Sequence, residues 1–270
     1  MALGRASHFQ PVVAVTTIAT ALAIAVGRGV GSTWVALAVL TGQLSVGWSN
    51  DYLDRGRDRL AGRADKPIVA GTVTARAVGI GALVAAAACV PLSLASGWRA
   101  ALVHLGAVAV AWAYNARLKD SPLSPLPYAL AFGSLPIFVT LGLPGHPMPL
   151  GWGIVTAALL GTGAHFVNTL PDLADDARTG IRGLPHRIGP RGSLAVAALL
   201  MAASATTAAL APPGAPDVAA TVLLILVFVV IIRLVVAALL GRERRAWSLT
   251  LVAAGLTVAL FLVQGGSLMS

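Results

Sequence analysis

The chain has 270 residues, 57% of them hydrophobic and only 11% charged, with a net charge of +9 and a mean hydropathy of +0.84. Soluble domains carry about 25% charged residues, so a water-solvated globule is excluded. Cys89 is the single cysteine, which excludes an internal disulfide and a zinc cluster.

Nine apolar segments follow one another: roughly 11–27, 31–49, 77–96, 99–116, 125–143, 150–170, 193–211, 217–240 and 246–264. Each approaches the ~20 residues that cross ~30 Å of hydrocarbon as a helix. Backbone in lipid must satisfy its own hydrogen bonds, which calls for helices, and the alternation of a β-barrel is absent. The predicted fold is therefore all-α: one polytopic membrane domain over residues 1–270, with nine transmembrane helices around a central cavity. Segment 11–27 is read as a retained helix and not a signal peptide, because eight more follow it.

Charge sorts along these segments. In a soluble protein +9 would suggest nucleic acid. Here all 19 basic residues except Arg28, Arg99 and Arg233 fall at the N-terminus or in the loops after segments 2, 4, 6 and 8. That bias predicts a multi-pass protein of the cell membrane with its N-terminus and these loops in the cytoplasm, and no nucleic-acid partner. All 10 acidic residues except Asp217 lie on the same side. Topology does not require this, since acidic residues contribute little to orientation.

Segment 2 ends in Asn50-Asp51-Tyr52-Leu53-Asp54-Arg55-Gly56-Arg57-Asp58, and Arg59, Arg63 and Lys66 follow. Segment 3 contains Cys89. Segment 4 runs out through Tyr114 to Arg117 and Lys119. Segment 6 ends in Asn168 and is followed by Pro171, Asp172, Asp175 and Asp176. Asn-x-x-x-Asp-x-x-x-Asp thus occurs twice, at the same end of the second and sixth segments. Positions i, i+4 and i+8 drift only ~40° per step around a helix. Asn50, Asp54 and Asp58 are expected to line one helical face, and Asn168, Asp172 and Asp176 another, with Pro171 as a kink.

Carboxylates gathered at a membrane boundary repel one another, and each costs about 2.5–3.5 kcal/mol at full bilayer depth. A divalent cation relieves this. Carboxylate and amide oxygens suit Mg²⁺ or Ca²⁺, and a few carboxylates with open positions suit Mg²⁺ that also holds substrate phosphates. Arginines and lysines beside the acids complete a cradle for diphosphate.

The sequence resembles the UbiA superfamily of intramembrane prenyltransferases along essentially its whole length. Asn50 to Asp58 fits NDxxDxxxD, Asp172 to Asp176 fits DxxxD, and Tyr114 to Lys119 fits YxxxLK. Arg63-Ala64-Asp65-Lys66-Pro67-Ile68 is similar to the basic-proline stretch after the first motif, with Lys66 where arginine is commoner. The resemblance implies that Asn50, Asp54, Asp172 and Asp176 bind Mg²⁺. Asp51 and Asp58 would support the metals or orient basic residues, and Arg63, Tyr114 and Lys119 would contact diphosphate. It also implies transfer of a prenyl group from a prenyl diphosphate to a small aromatic or lipophilic acceptor in contact with membrane lipid. A UbiA-type terpene cyclase acting without acceptor begins with the same ionisation.

Several residues stay open at this stage. Phe132, Phe166 and Trp112 are candidates to face an allylic cation. His165 either touches the acceptor or is a packed histidine. Arg233 either faces the cavity or snorkels to the interface. Asp175 is read as a loop ion pair, Arg242-Glu243-Arg244-Arg245 as a headgroup anchor, and Pro185-His186-Arg187 as part of a loop over the site. A transporter would place its acids near mid-membrane, which these are not.

Overall fold

The computed structural model describes residues 6, 9–178 and 180–269; Arg5 and the side chains of Asp175 and Glu243 lie outside the described residues. Its helices are α1 (Phe9–Ala25), α2 (Gly31–Leu60), α3 (Ala75–Leu94), α4 (Trp98–Ala116) and α5 (Leu126–Leu141). There follow α6 (Gly151–Thr169), the short α7 (Leu173–Arg178), α8 (Leu184–Leu210), α9 (Val218–Leu239) and α10 (Glu243–Val263). Tight 3₁₀ turns lie at Leu118–Asp120, Leu170–Asp172 and Gln264–Met269. The described residues contain no strand, and each predicted apolar segment corresponds to one long helix. Five stretches are long and apolar enough to cross a bilayer by length and composition: Ala75–Leu94, Gly151–Asp172, Leu184–Leu210, Val218–Leu239 and Arg244–Met269. Helices α1 and α5 are shorter, at 17 and 16 residues. The chain is a multi-pass membrane protein.

The helices form a ring. Helix α2 packs on α1, α3 and α4; α5 joins α4 to α6; α8 packs on α6, α9 and α10; and α10 returns to α1. Lipid is as apolar as leucine, so small residues and interhelical hydrogen bonds hold such a bundle. Helix α8 buries Ala197, Ala198, Ala205 and Ala208, and its Ser204 hydroxyl donates to the Thr156 carbonyl on α6 at 2.9 Å. Ile225, Val229, Ile232 and Val236 of α9 stay exposed, as a lipid-facing stripe should.

The far end of the ring is tied by Arg28, which donates to the Val139 carbonyl (3.0 Å) and the Ser96 hydroxyl (3.2 Å). Asp217, the one acid on that side, caps α9 by accepting from the Ala220 amide at 2.7 Å. Its place apart from the other acids thus has a local cause. Cys89 is free and buried beside Ser93. The Ser93 hydroxyl meets His104 Nδ1 at 2.8 Å, joining α3 to α4.

Helices α5 and α6 meet where the Phe132 side chain covers Gly161. A Cβ on Gly161 would fall 2.4 Å from the Phe132 Cγ. Gly161→Ala is therefore expected to lower stability by about 1–3 kcal/mol, read as a drop in melting temperature in detergent. Gly106→Ala, where a Cβ meets nothing within 4 Å, is the control.

Candidate active site

Helix α2 does not stop at the membrane boundary. It runs unbroken to Leu60, and Arg57 and Arg59 in its last turn oppose the helix dipole. Asn50, Asp54 and Asp58 accordingly share one side and line a common cavity. The second motif is built differently. Helix α6 stops at Thr169, the 3₁₀ turn Leu170–Asp172 follows, and α7 begins at Leu173. Pro171 cannot donate a backbone hydrogen bond and crowds the preceding turn. The expected continuous face through Asn168, Asp172 and Asp176 is corrected: the three sit on a helix end, a turn and a second short helix. They line the same cavity nonetheless.

The cavity measures about 480 Å³ and lies at one end of the ring. Helices α1, α2, α4, α5 and α6 wall it, with Ile181; Pro185 and His186 line it from the first turn of α8, so Pro185-His186-Arg187 lies on a helix and not in the expected loop. Of the residues singled out in the sequence, it is lined by Asn50, Asp54, Asp58, Arg63, Tyr114, Lys119, Asp172 and Asp176. Asp51 does not line it. Asp51 is 1% exposed and accepts from the Lys66 ammonium at 2.8 Å, and Lys66 itself reaches the cavity. Breaking a buried pair leaves a charge without its counterpart and costs about 3–5 kcal/mol. Lys66→Met is expected to lose stability towards the low end of that range, since Lys66 is partly exposed, and a melt at neutral pH checks it.

Cations meet the other carboxylates. Buried Lys119 pairs with Asp54. Arg57 bridges Asp54 (3.6 Å) and Asp120 (2.8 Å). Arg63 follows the first motif yet reaches Asp172 of the second at 3.3 Å, and Asp65 at 3.4 Å. His186 Nε2 lies 3.2 Å from Asp176 Oδ2. Burial pushes the Asp58 carboxyl above the usual carboxylate range; Lys66 and Arg63 pull it down, but Asp54 and Asp51 add to the rise. Burial would lower Arg63, and Asp172, Asp65 and Asp58 outweigh it, so its guanidinium is held more firmly protonated.

An aromatic cluster forms the wall below. The Tyr114 ring stands edge-on to Tyr128 (5.3 Å between centroids) and to His165 (5.7 Å). Tyr128 lies 6.4 Å from a nearly parallel Phe132. Tyr114, Tyr128 and Asn168 all line the cavity. His165 Nε2 contacts the Ser124 hydroxyl at 3.1 Å, and that hydroxyl also accepts from the Leu184 amide at 3.0 Å. Of the three aromatic candidates only Phe132 lines the cavity. Phe166 is buried in the core with Met201, and the Trp112 indole donates to Ser45 at 2.8 Å. Arg233 is exposed on α9 and away from the cavity, so the cavity-facing reading is overturned. Tyr128, Gln43, Asn115 and Ser124 line the site but were not picked out as site residues in the sequence. Gln43 and Tyr128 are polar residues within apolar runs, Asn115 is a variable position inside the Tyr114–Lys119 element and Ser124 lies in the loop before α5, so no spacing marks them.

Among the described residues no three of His, Cys, Asp and Glu are drawn together into a preformed metal cage. The donors that the two motifs bring to the cavity are nevertheless hard oxygens: four carboxylates and the carboxamides of Asn50 and Asn168. Mg²⁺ is usually held by one or two carboxylates plus substrate phosphates and waters, not by an all-protein cage. The residues fit that ion.

The fold has known counterparts. A digeranylgeranylglyceryl phosphate synthase of Pyrococcus horikoshii is 28% identical over 151 residues, 56% of this chain and 54% of that protein. The chain thus spans only about half the length of that curated relative. A UbiA homologue from Archaeoglobus fulgidus, solved with DMAPP and Mg²⁺, has a TM-score of 0.72 at 20% identity, over 100% of this chain and 99% of that one. A UbiA homologue from Aeropyrum pernix K1 has a TM-score of 0.71 at 23% identity, over 92% and 97%. These structures share the fold. The profile of the UbiA prenyltransferase family matches residues 12–261, nearly the whole chain, and the chain belongs to that family.

Proposed function

We propose that the chain transfers a prenyl group from an allylic prenyl diphosphate to an aromatic or other lipophilic acceptor, releasing diphosphate at the cytoplasmic face of the cell membrane. The observation that carries this reading is the shared cavity. Both aspartate motifs and the cations Arg63, Lys66 and Lys119 line it, and the same space continues past Tyr128 to Val15, Val46, Ala131 and Phe132. A charged head and an apolar tail each find matching walls, and every CH₂ buried gains about 0.8 kcal/mol.

Asn50, Asp54, Asp172 and Asp176 are the residues to hold Mg²⁺. Bound there, the ion neutralises diphosphate and makes it a better leaving group. Lys119 and Arg63 bring fixed positive charge to the oxygens that gain charge as the C–O bond breaks. Tyr114 offers its hydroxyl beside them. The electron pair of that bond leaves with diphosphate, and the allylic cation faces Tyr128 and Phe132, whose rings stabilise it by about 0.5–2 kcal/mol. The acceptor then bonds to the cationic carbon and gives up its proton. The DMAPP and Mg²⁺ bound by the Archaeoglobus homologue support the donor class and the ion. Basic residues at the cavity end support the cytoplasmic orientation.

The test is diphosphate release by the purified protein in detergent, with geranyl diphosphate, with and without a lipophilic acceptor. Chelation by EDTA is expected to stop release and added Mg²⁺ to restore it. A cyclic hydrocarbon or alcohol formed without acceptor would overturn the transferase reading in favour of a cyclase.

A further inference from the structure

Asn115 is buried on α4, 4% exposed, against the part of α2 that carries the first motif. Its carboxamide meets three groups of α2. Nδ2 donates to the Val46 carbonyl (2.9 Å) and to the Ser49 hydroxyl oxygen (2.8 Å), and Oδ1 accepts from Asn50 Nδ2 (3.3 Å).

The two ends of a carboxamide have nearly the same shape, so its orientation must follow from its partners. A carbonyl only accepts; the end of Asn115 at Val46 must therefore be the NH₂. Ser49 requires the same independently. Its hydroxyl hydrogen is donated to the Val46 carbonyl at 2.8 Å, which leaves it lone pairs to offer Asn115. The Asn115 oxygen thus faces Asn50, and only the NH₂ of Asn50 can meet it. The Asn50 oxygen is left to the cavity that Asn50 lines.

We infer that Asn115 is a positioning residue for the metal–diphosphate site: it turns the Asn50 carboxamide so that oxygen, and not NH₂, is offered to a divalent cation. This rests on the Mg²⁺–diphosphate reading above and deepens it. A carboxamide is a ligand at one end only, and its reversed form would turn two donor hydrogens towards the cation. Asn115 acts from the neighbouring helix, through hydrogen bonds alone.

Isothermal titration of the 270-residue chain in detergent with the Mg²⁺ complex of inorganic diphosphate tests this. Asn115→Leu is expected to weaken binding by about tenfold, the usual loss when a partner behind a metal ligand is removed. Asn115→Ala, which also removes the oxygen that faces Asn50, should do the same if the leucine variant does not fold. The discriminating background is Asn50→Asp. A carboxylate presents oxygen at both ends, so there Asn115→Leu should change affinity by less than about twofold, within the additivity of independent sites. Equal losses in both backgrounds would mean that Asn115 acts by packing, and would overturn the inference. So would unchanged affinity in the Asn50 background. If the unmodified protein does not bind the Mg²⁺–diphosphate complex, the site reading itself fails, and the inference with it.

Discussion

Asp54→Ala is expected to lower the rate of diphosphate release by roughly 10²–10³-fold, the usual cost of removing one preorganised electrostatic group from a water-excluded site. Asp54 meets two cations and belongs to the first motif: Lys119 pairs with it, Arg57 lies 3.6 Å away, and it shares the α2 face with Asn50 and Asp58. Asp172→Ala should be as damaging, because Asp172 is the carboxylate through which Arg63 joins the two motifs. Full activity in either variant would refute the site. The measurement needs a melting curve beside it, since Asp54→Ala also strips the buried Lys119 of its counter-charge. Asp54→Asn keeps the volume and should lose activity with a smaller loss of stability.

Lys119→Met is the second. Lys119 is 6% exposed, and its ammonium is delivered to the cavity by the 3₁₀ turn Leu118–Asp120 after α4. A cation at that depth serves the departing diphosphate more than a solvated one would, because little water screens it. We expect kcat/KM for the prenyl diphosphate to fall by about 10²-fold. Lys119→Arg should recover only part, since a planar fork does not replace a compact point charge. If Lys119→Met changes stability but leaves kcat/KM intact, the lysine is merely the partner of Asp54.

Much of this architecture was legible from residue order alone. Apolar runs near twenty residues can do little else than form helices in a bilayer, so each predicted segment meets a helix. The first motif was legible because Asn50, Asp54 and Asp58 ride on unbroken α2, where spacing translates directly into direction. The same spacing misled at the second motif. Pro171 was read as a kink in one helix, whereas it ends α6 and inserts a turn, so Asp172 and Asp176 reach the cavity by a different backbone path. Arg233 could not be placed from sequence, because nothing in an all-apolar run tells which flank of α9 meets lipid. Tyr128, Ser124 and Asn115 stayed hidden for a related reason. Their importance lies in partners from other helices, and no local pattern encodes a partner on another helix.

The unbroken course of α2 has a consequence for how such chains diverge. One residue inserted between Asp54 and Asp58 would rotate Asp58 by about 100° about the helix axis and take it off the cavity. The first motif is a ruler that admits no change of length. The stretch between Gly180 (φ 87°) and Gly189 (φ 73°) is bounded by two left-handed glycines that interrupt helical continuity. A residue gained between Gly180 and the start of α8 at Leu184 lies in no helix and shifts no register in the walls. Insertions and deletions are therefore to be sought on the second motif's side of the cavity, where they can reshape its lining without disturbing the donors on α2.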